Sequence, residues 1–296
     1  MIECRAPKTP KEFEQYFQLR WQVLRAPWHQ AKGSEQDELE SQAVHRMVIN
    51  DQQQILAVGR LHFCDDNQAQ IRYMAVDPAY HGQGLGRTII DALEGAATEF
   101  GVNCVRLNAR EQALDFYRRL GYQGEQLSHV LYGEIKHFKM KKNLAVRMLL
   151  SEDVSKLVNT WHSQIPLSNA MAIQVTYYDQ SKLVTTCDQN VNKNLHQTMF
   201  AGSIYTLATL TGWGWIYLLL AERTLDGDIV LADSDIKYLA PIEGVAYAVC
   251  DVKNDTPEFS RLLKQRNEKI MLTVNVYSGE KVAACFHATY VVKPTV

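Results

Sequence analysis

The sequence predicts an α+β chain of two domains, and three observations carry that expectation. The chain has 296 residues, 46% hydrophobic and 22% charged, which gives enough apolar surface for two cores rather than one. The pattern of elements changes near residues 143–148. Before that point strands and helices are mixed; after it, strand-like segments surround a single long apolar stretch. That stretch carries no Asp, Glu, Lys or Arg between Lys193 and Glu222, as expected of a helix wrapped by a sheet. The expected domains are 1–143 and 148–296.

Composition narrows the functional classes. A formal net charge of -2 gives no general electrostatic reason to expect nucleic acid or a membrane as partner. Cys4, Cys64, Cys104, Cys187, Cys250 and Cys285 include no Cys-x-x-Cys pair, so neither a metal site nor a disulfide framework is expected. They read as small buried hydrophobes in a reducing compartment. The opening MIECRAPKTP has Glu3 and no apolar h-region, so no signal peptide and a cytoplasmic location are expected. The uncharged run is long enough to span a bilayer. It nevertheless contains Gln197, Thr198, Ser203, Thr206, Thr209, Thr211, Gly212 and Gly214, and no second such run exists. A buried helix, with no membrane span, is the expectation.

The first helix is signalled by Thr9 as N-cap, Pro10 at the first helical position and Glu12 where a capping box needs it. Phe13, Tyr16, Phe17, Trp21 and Leu24 give it an apolar face. HRMVIN and ILAVGRLHF flank the turn-prone NDQQQ and predict a hairpin; IRYMAV is a further strand. In DPAYHGQGLGRTIIDALEGAATEFG, the glycines Gly82, Gly84 and Gly86 fall at a strand-to-helix turn. There, missing side chains let backbone N–H groups approach a phosphate, and the helix N-terminus adds partial positive charge. Leu85, Ile89, Leu93, Ala96 and Phe100 form the apolar stripe of that helix. CVRLNAREQALDFYRRLGYQ reads as strand, short helix and strand.

With HGQGLG and DFYRRLGY as its signatures, the stretch from Met1 to Lys142 resembles the GNAT acetyltransferase family. The resemblance implies acetyl-CoA as cofactor, with Gly82, Gly84 and Gly86 as its phosphate loop. It also implies main-chain bonds from Ala75 and Val76 to the pantetheine arm, and Tyr117 as the general acid that protonates the departing thiolate. The residues alone allow a tight turn and a core aromatic at these places. Two positions depart from the family pattern: His81 stands where the loop usually opens with Arg or Gln, and Gln70 where some relatives carry a glutamate base. Amine deprotonation therefore has no assigned residue, and the sequence does not name the acceptor.

HFKMKKNLAVRMLLSEDVSKL leads from the last strand of the first half into a helix capped near Ser151. The expected order is then a helix over 152–162, the loop SQIPLSNA, strands MAIQVTYY and KLVTTCDQ, the uncharged helix over 204–221, and strands DIVLADSDIKYLAPI and VAYAVCDV. A short basic helix around RLLKQRNEK and strands IMLTVNVYS and KVAACFHATYVV complete it.

This order and the lead-in NLHQTMFAG resemble the hotdog fold of acyl-thioester enzymes. The whole chain is similar to fused GNAT and hotdog proteins whose second half is called a YiiD-type thioesterase domain, the likeness lying in TMFAGSIYTLATLTGWG. The resemblance implies a homodimer or larger assembly with the pocket at the subunit interface. It also implies polarisation of the thioester carbonyl by backbone N–H groups where the helix opens, at Ala201, Gly202 and Ser203. The carboxylate that activates water in such thioesterases is missing, and Thr209 stands in its place. Decarboxylation of a malonyl thioester needs carbonyl polarisation but no activated water, and similar family members are linked to malonyl-ACP decarboxylation, which starts fatty-acid synthesis. Asn194 is the candidate side-chain donor to the enolate oxygen, with the backbone of Gly202; a loop amide capping backbone is the alternative. His196 reads as a local hydrogen bond or packing. The expected partner is an acyl or malonyl thioester of CoA or acyl carrier protein, with thioesterase action and non-catalytic thioester sensing as alternatives. The basic residues Arg261, Lys264, Arg266 and Lys269 form either a solvated face or a dock for an acidic carrier.

Overall fold

Thr9 Oγ1 accepts from the Glu12 N–H while the Glu12 carboxylate accepts from the Thr9 N–H, closing the expected capping box, and Pro10 begins the helix. In the computed structural model, which describes residues 2–64, 67–144, 152–252 and 257–295, strand β1 (Ile2–Arg5) precedes this helix, α1 (Pro10–Leu24). Tyr16 and Leu24 are buried as the pattern predicts, but Phe13, Phe17 and Trp21 are only half-buried, and Leu19 and Arg20 complete the inner face. Hydropathy alone misplaces Arg20. Its charge is tolerated inside because Glu40 accepts two bonds from its guanidinium, at 3.0 and 2.7 Å, and the Glu35 carbonyl a third.

The chain separates into two compact units, Met1–Val146 and Arg147–Val296. Residues 145–151 lie outside the described residues, and with them most of the expected boundary at 143–148 and the expected cap at Ser151.

In the first unit, β2 (Val44–Asn50), β3 (Ile55–Cys64) and β4 (Gln68–Val76) run antiparallel, and the expected hairpin turns on Gln53 at φ 61°. Then come α2 (Leu85–Glu99), β5 (Cys104–Arg110), α3 (Leu114–Arg119), β6 (Gln123–Leu131) and β7 (Ile135–Asn143). The seven-stranded sheet has the order β1-β2-β3-β4-β5-β7-β6. The α2 stripe of Leu85, Ile89, Leu93, Ala96 and Phe100 is buried throughout.

The second unit opens with α4 (Glu152–Gln164) and α5 (Pro166–Ala170). The latter is a short helix where a loop was expected, because Pro166 fits the first helical position. Strands β8 (Gln174–Asp179) and β9 (Lys182–Thr186) precede α6 (Ala201–Glu222). After it run β10 (Asp228–Tyr238), β11 (Ala246–Asp251), β12 (Glu268–Ser278) and β13 (Lys281–Lys293). The six strands form an antiparallel sheet ordered β10-β13-β12-β11-β9-β8. Its inner face, including Leu272, Val274, Val276, Phe286 and Tyr290, packs on α6. α6 is long and apolar enough to cross a membrane, but 67% of its most apolar window is buried inside the unit. In place of the basic helix expected around residue 264 there is one short 3-10 turn, Leu262–Lys264. Gln265 ends it in the left-handed conformation.

Candidate functional site

The first site arises where two neighbouring strands part. β4 and β5 pair in parallel only through Gln68–Ile71 and Cys104–Leu107. Beyond that a cavity of about 330 Å³ opens between Arg72–Val76 and Leu107–Arg110. An unpaired strand edge offers peptide N–H and C=O groups to an extended polar ligand. Ala75 and Val76 line the gap while pairing on their other side with Val58 and Ala57. Tyr73 in the cavity wall has φ 54°, a strained value for an aromatic residue, at a register shift between β3 and β4. Its hydroxyl donates to Asp37 at 3.1 Å, and the guanidinium of Arg20 lies 4.0 Å from its ring centre. Burial alone would raise the Asp37 carboxyl; Arg60 and Arg72 bring it well below the usual range instead.

The glycine loop sits at the end of β4. Gly82 and Gly84 have φ of 77° and 79°, and a Cβ built on either meets nothing within 4 Å. The loop therefore presents bare backbone to open space. Gly84 caps α2, whose first internal bond runs from the Thr88 N–H to the Gly84 carbonyl, so the N–H groups of Leu85, Gly86 and Arg87 precede the helical ladder. A Cβ on Gly86 would lie 3.2 Å from the Phe116 ring, so this glycine also sets the contact with α3. His81 Nε2 is 3.1 Å from the Val76 carbonyl and ties the loop to β4. These features fit a pyrophosphate followed by a neutral amide-bearing arm.

Tyr117, on α3, lines the same cavity as Ala75, Val76 and His81 and is 8% exposed. Burial pushes its phenol up, with Arg110 opposing, so the proton stays on oxygen at neutral pH. Gln70 lies elsewhere. It pairs with His62 and Arg106 and lines a separate cavity of about 420 Å³.

In the second unit α6 opens without a side-chain cap at Phe200, and its first internal bond joins the Ile204 N–H to the Phe200 carbonyl. The N–H groups of Ala201, Gly202 and Ser203 thus precede the ladder. A Cβ on Gly202 would meet the Phe200 ring at 2.4 Å. Asn194 belongs to the preceding turn: its Nδ2 donates to Thr198 Oγ1 at 3.0 Å and its Oδ1 accepts the His196 N–H at 2.8 Å. This is the local bonding of a loop amide. His196 is exposed and takes part through its backbone. The buried asparagine is Asn192, whose Nδ2 donates to the Met171 and Asp188 carbonyls while its own carbonyl accepts the Phe200 N–H. It anchors the helix start, and its spacing from the helix gave no sign of this. Thr209 Oγ1 is buried without a hydrogen-bond partner.

Two family descriptions match the chain: "Acetyltransferase (GNAT) family" over residues 13–122 and "Putative thioesterase (yiiD_Cterm)" over residues 154–294. The chain is a GNAT domain joined to a YiiD C-terminal domain. Among curated relatives, it is 29% identical over 136 residues to the uncharacterized N-acetyltransferase YjcF of Bacillus subtilis, covering 46% of this chain and 96% of that one. Among solved structures, the "putative thioesterase" of Shewanella oneidensis is 40% identical over 48% of this chain and 99% of that one, with a TM-score of 0.46. An acyl-CoA N-acyltransferase of Pseudomonas aeruginosa is 26% identical over 48% of this chain and 98% of that one, with a TM-score of 0.42.

The GNAT family uses acetyl-CoA. Within the GNAT domain, the cavity also holds residues the sequence did not single out. His129 and His137 face each other across β6 and β7, their rings stacked 4.6 Å apart, and both line the cavity beside Tyr117. His137 Nδ1 lies 3.1 Å from the Ile135 carbonyl, so Nδ1 carries the hydrogen and Nε2 keeps its lone pair. Burial lowers the His137 pKa, the Ile135 bond opposing, so the ring is neutral at neutral pH. Only the folded pairing of two strands reveals this pair. Among the described residues no group of three or more His, Cys, Asp and Glu side chains is placed to hold a metal ion.

Proposed function

We propose that the chain is a two-headed acyl-thioester enzyme. In the GNAT domain the Gly82–Gly86 loop receives the pyrophosphate of acetyl-CoA, and Ala75 and Val76 bond its pantetheine arm. His137 takes a proton from the acceptor amine and Tyr117 returns one to the departing thiolate. The cavity walls carry Arg25, Arg72 and Arg110, which suits an amine that also bears an anionic group.

The YiiD C-terminal domain decarboxylates a malonyl thioester carried on acyl carrier protein or CoA, supplying the acetyl thioester that starts fatty-acid synthesis. Gly202 N–H and the Asn194 amide hold the enolate oxygen. To do so, Asn194 exchanges its neutral bond to Thr198 for a stronger charge-assisted one. The observation that carries the reading is a helix start rich in free donors on a helix that itself carries no carboxylate at that end: the only acid of α6, Glu222, stands at its far end, roughly 30 Å from Gly202 at 1.5 Å per residue. Residues of α6 at Tyr205, Thr209, Trp213 and Tyr217 make a half-buried stripe, and we place the partner subunit of a homodimer against it.

The orphan hydroxyl of Thr209 favours a second reading, hydrolysis, in which it orients a water. Mass spectrometry of malonyl-carrier substrate decides between them. Decarboxylation leaves acetyl-carrier and carbon dioxide, hydrolysis leaves free carrier thiol, and an unchanged malonyl species with folded enzyme refutes both.

A further inference from the structure

On β13 the residues Ala284, Phe286, Ala288 and Tyr290 are buried against α6, so Cys285 and His287 stand on the opposite, outer face of the sheet. Cys285 Sγ lies 3.3 Å from His287 Nε2, and His287 Nδ1 lies 3.0 Å from Thr273 Oγ1 on β12. Thr273 and Asp235 are the direct ladder partners of His287 on its two sides. The imidazole is therefore central in a row of Asp235, His287 and Thr273, with the thiol one step along its own strand. A cleft of about 260 Å³ opens over this row, lined by His287, Thr273, Asp233, Asp235 and the largely exposed Met271.

We propose that Cys285 is a nucleophilic thiol activated by His287, which accepts a small acyl group from a thioester; the choice of thioester as donor rests on the reading given above. Thr273 accepts the Nδ1 hydrogen and holds the ring so that the Nε2 lone pair faces the thiol. Asp235, the ladder partner of His287 on β10, lines the same cleft. As Cys285 Sγ bonds to the carbonyl carbon, its proton passes to Nε2. The bond from carbon to the donor sulfur then breaks, and the Nε2 proton neutralises the departing thiolate. The products are an S-acyl Cys285 and a free thiol, with no oxidant or reductant needed. The flanking Asp233 and Asp235 disfavour phosphate near the sulfur, so the donor presents its neutral pantetheine end. Cys187 and Cys250 are unsuited to this chemistry, since both are buried and burial raises their thiols, Cys187 to about 12.

The test uses the full chain with S-acetyl-pantetheine and with acetyl-CoA, followed by peptide mass mapping, and separately measures iodoacetamide labelling of each cysteine at pH 7. The expected results are an acetyl group on the Cys285 peptide that hydroxylamine removes, and Cys285 alkylation faster than that of Cys4, Cys64 and Cys104. His287→Gln should slow Cys285 alkylation by about tenfold or more while leaving the other thiols unchanged. Thr273→Val should slow it less. Equal Cys285 rates in wild type and His287→Gln, with both folded by circular dichroism, overturn the proposal. So does acetylation spread evenly over the cysteines. Rapid alkylation without acylation overturns acyl transfer to Cys285, and the malonyl-carrier assay then judges the decarboxylase reading on its own.

Discussion

The Tyr290 hydroxyl donates to the Thr209 carbonyl at 2.7 Å, across the contact between β13 and the middle of α6. Gly212 makes that approach possible, because a Cβ there would lie 2.6 Å from the same hydroxyl. Glycine in a helix interior ordinarily costs about 1 kcal/mol relative to alanine. Here the crowding reverses the sign: Gly212→Ala should destabilise the second domain by about 1–3 kcal/mol in denaturant titration. Tyr290→Phe alone should cost about 1 kcal/mol, and combining the two should recover part of the Gly212→Ala loss.

Gly84→Val places a branched side chain in the open space before α2 and strains a φ of 79°. Calorimetry should show acetyl-CoA affinity lost while circular dichroism shows the fold kept. Unchanged affinity would remove the glycine loop from the binding site.

Tyr117→Phe should lower acetyl-transfer turnover more than acetyl-CoA binding, since the proton is needed only as the thiolate leaves. His137→Gln should cut kcat/KM by roughly a hundredfold or more and abolish its acidic limb. Because the folded pKa of His137 is lowered, that limb in the wild type should lie below the ordinary histidine range. A limb unmoved by His137→Gln would assign the base elsewhere.

His62 is buried at 8% exposure, and burial, aided by the Arg60 charge, lowers its pKa from 6.5 to about 4. Between these values the unfolded chain binds a proton that the folded chain refuses. Stability is therefore complete above the upper value and falls as pH drops through the window, by roughly 3 kcal/mol at most from this side chain. His62→Leu should flatten the fall in melting temperature of the first domain between pH 6.5 and pH 4. An unaltered slope would contradict the assignment.

Asn194→Ala should slow malonyl decarboxylation about a hundredfold to a thousandfold if the amide binds the enolate. The turn at Asn194 and Thr198 would loosen as well, so the melting temperature must be followed in parallel. Thr209→Ala should leave decarboxylation nearly intact; if it instead abolishes release of free carrier thiol, hydrolysis is the native reaction.

Elements with strong local causes were legible in the sequence. The box at Thr9 and Glu12 forms, the α2 stripe is buried, and the charge-free run becomes α6 because it is enclosed. Chemistry made by distant segments was not. His129 meets His137 only through the pairing of β6 with β7, and Cys285 acquires His287 and Thr273 through the alternation and register of β12 and β13. The burial of Arg20 has no periodic signal in the sequence, because its partners Glu35 and Glu40 lie in an irregular stretch after the helix. Asn194 is singled out by the sequence as an amide donor before the small-residue helix start, and Asn192 is not singled out at all. Burial and carbonyl partners give Asn192 the anchoring of the helix, a distinction that residue type cannot express.

Chain order sets a burden on α6 that the finished fold conceals. Strands β10, β11, β12 and β13, four of the six around it, follow it in the sequence. During synthesis from the N-terminus, a 22-residue apolar helix leaves the ribosome with only β8 and β9 made. The GNAT domain can by then be complete, while the second domain still waits for its cover. Nascent chains of this protein should therefore be most prone to capture by chaperones or to aggregation when translation pauses just beyond α6.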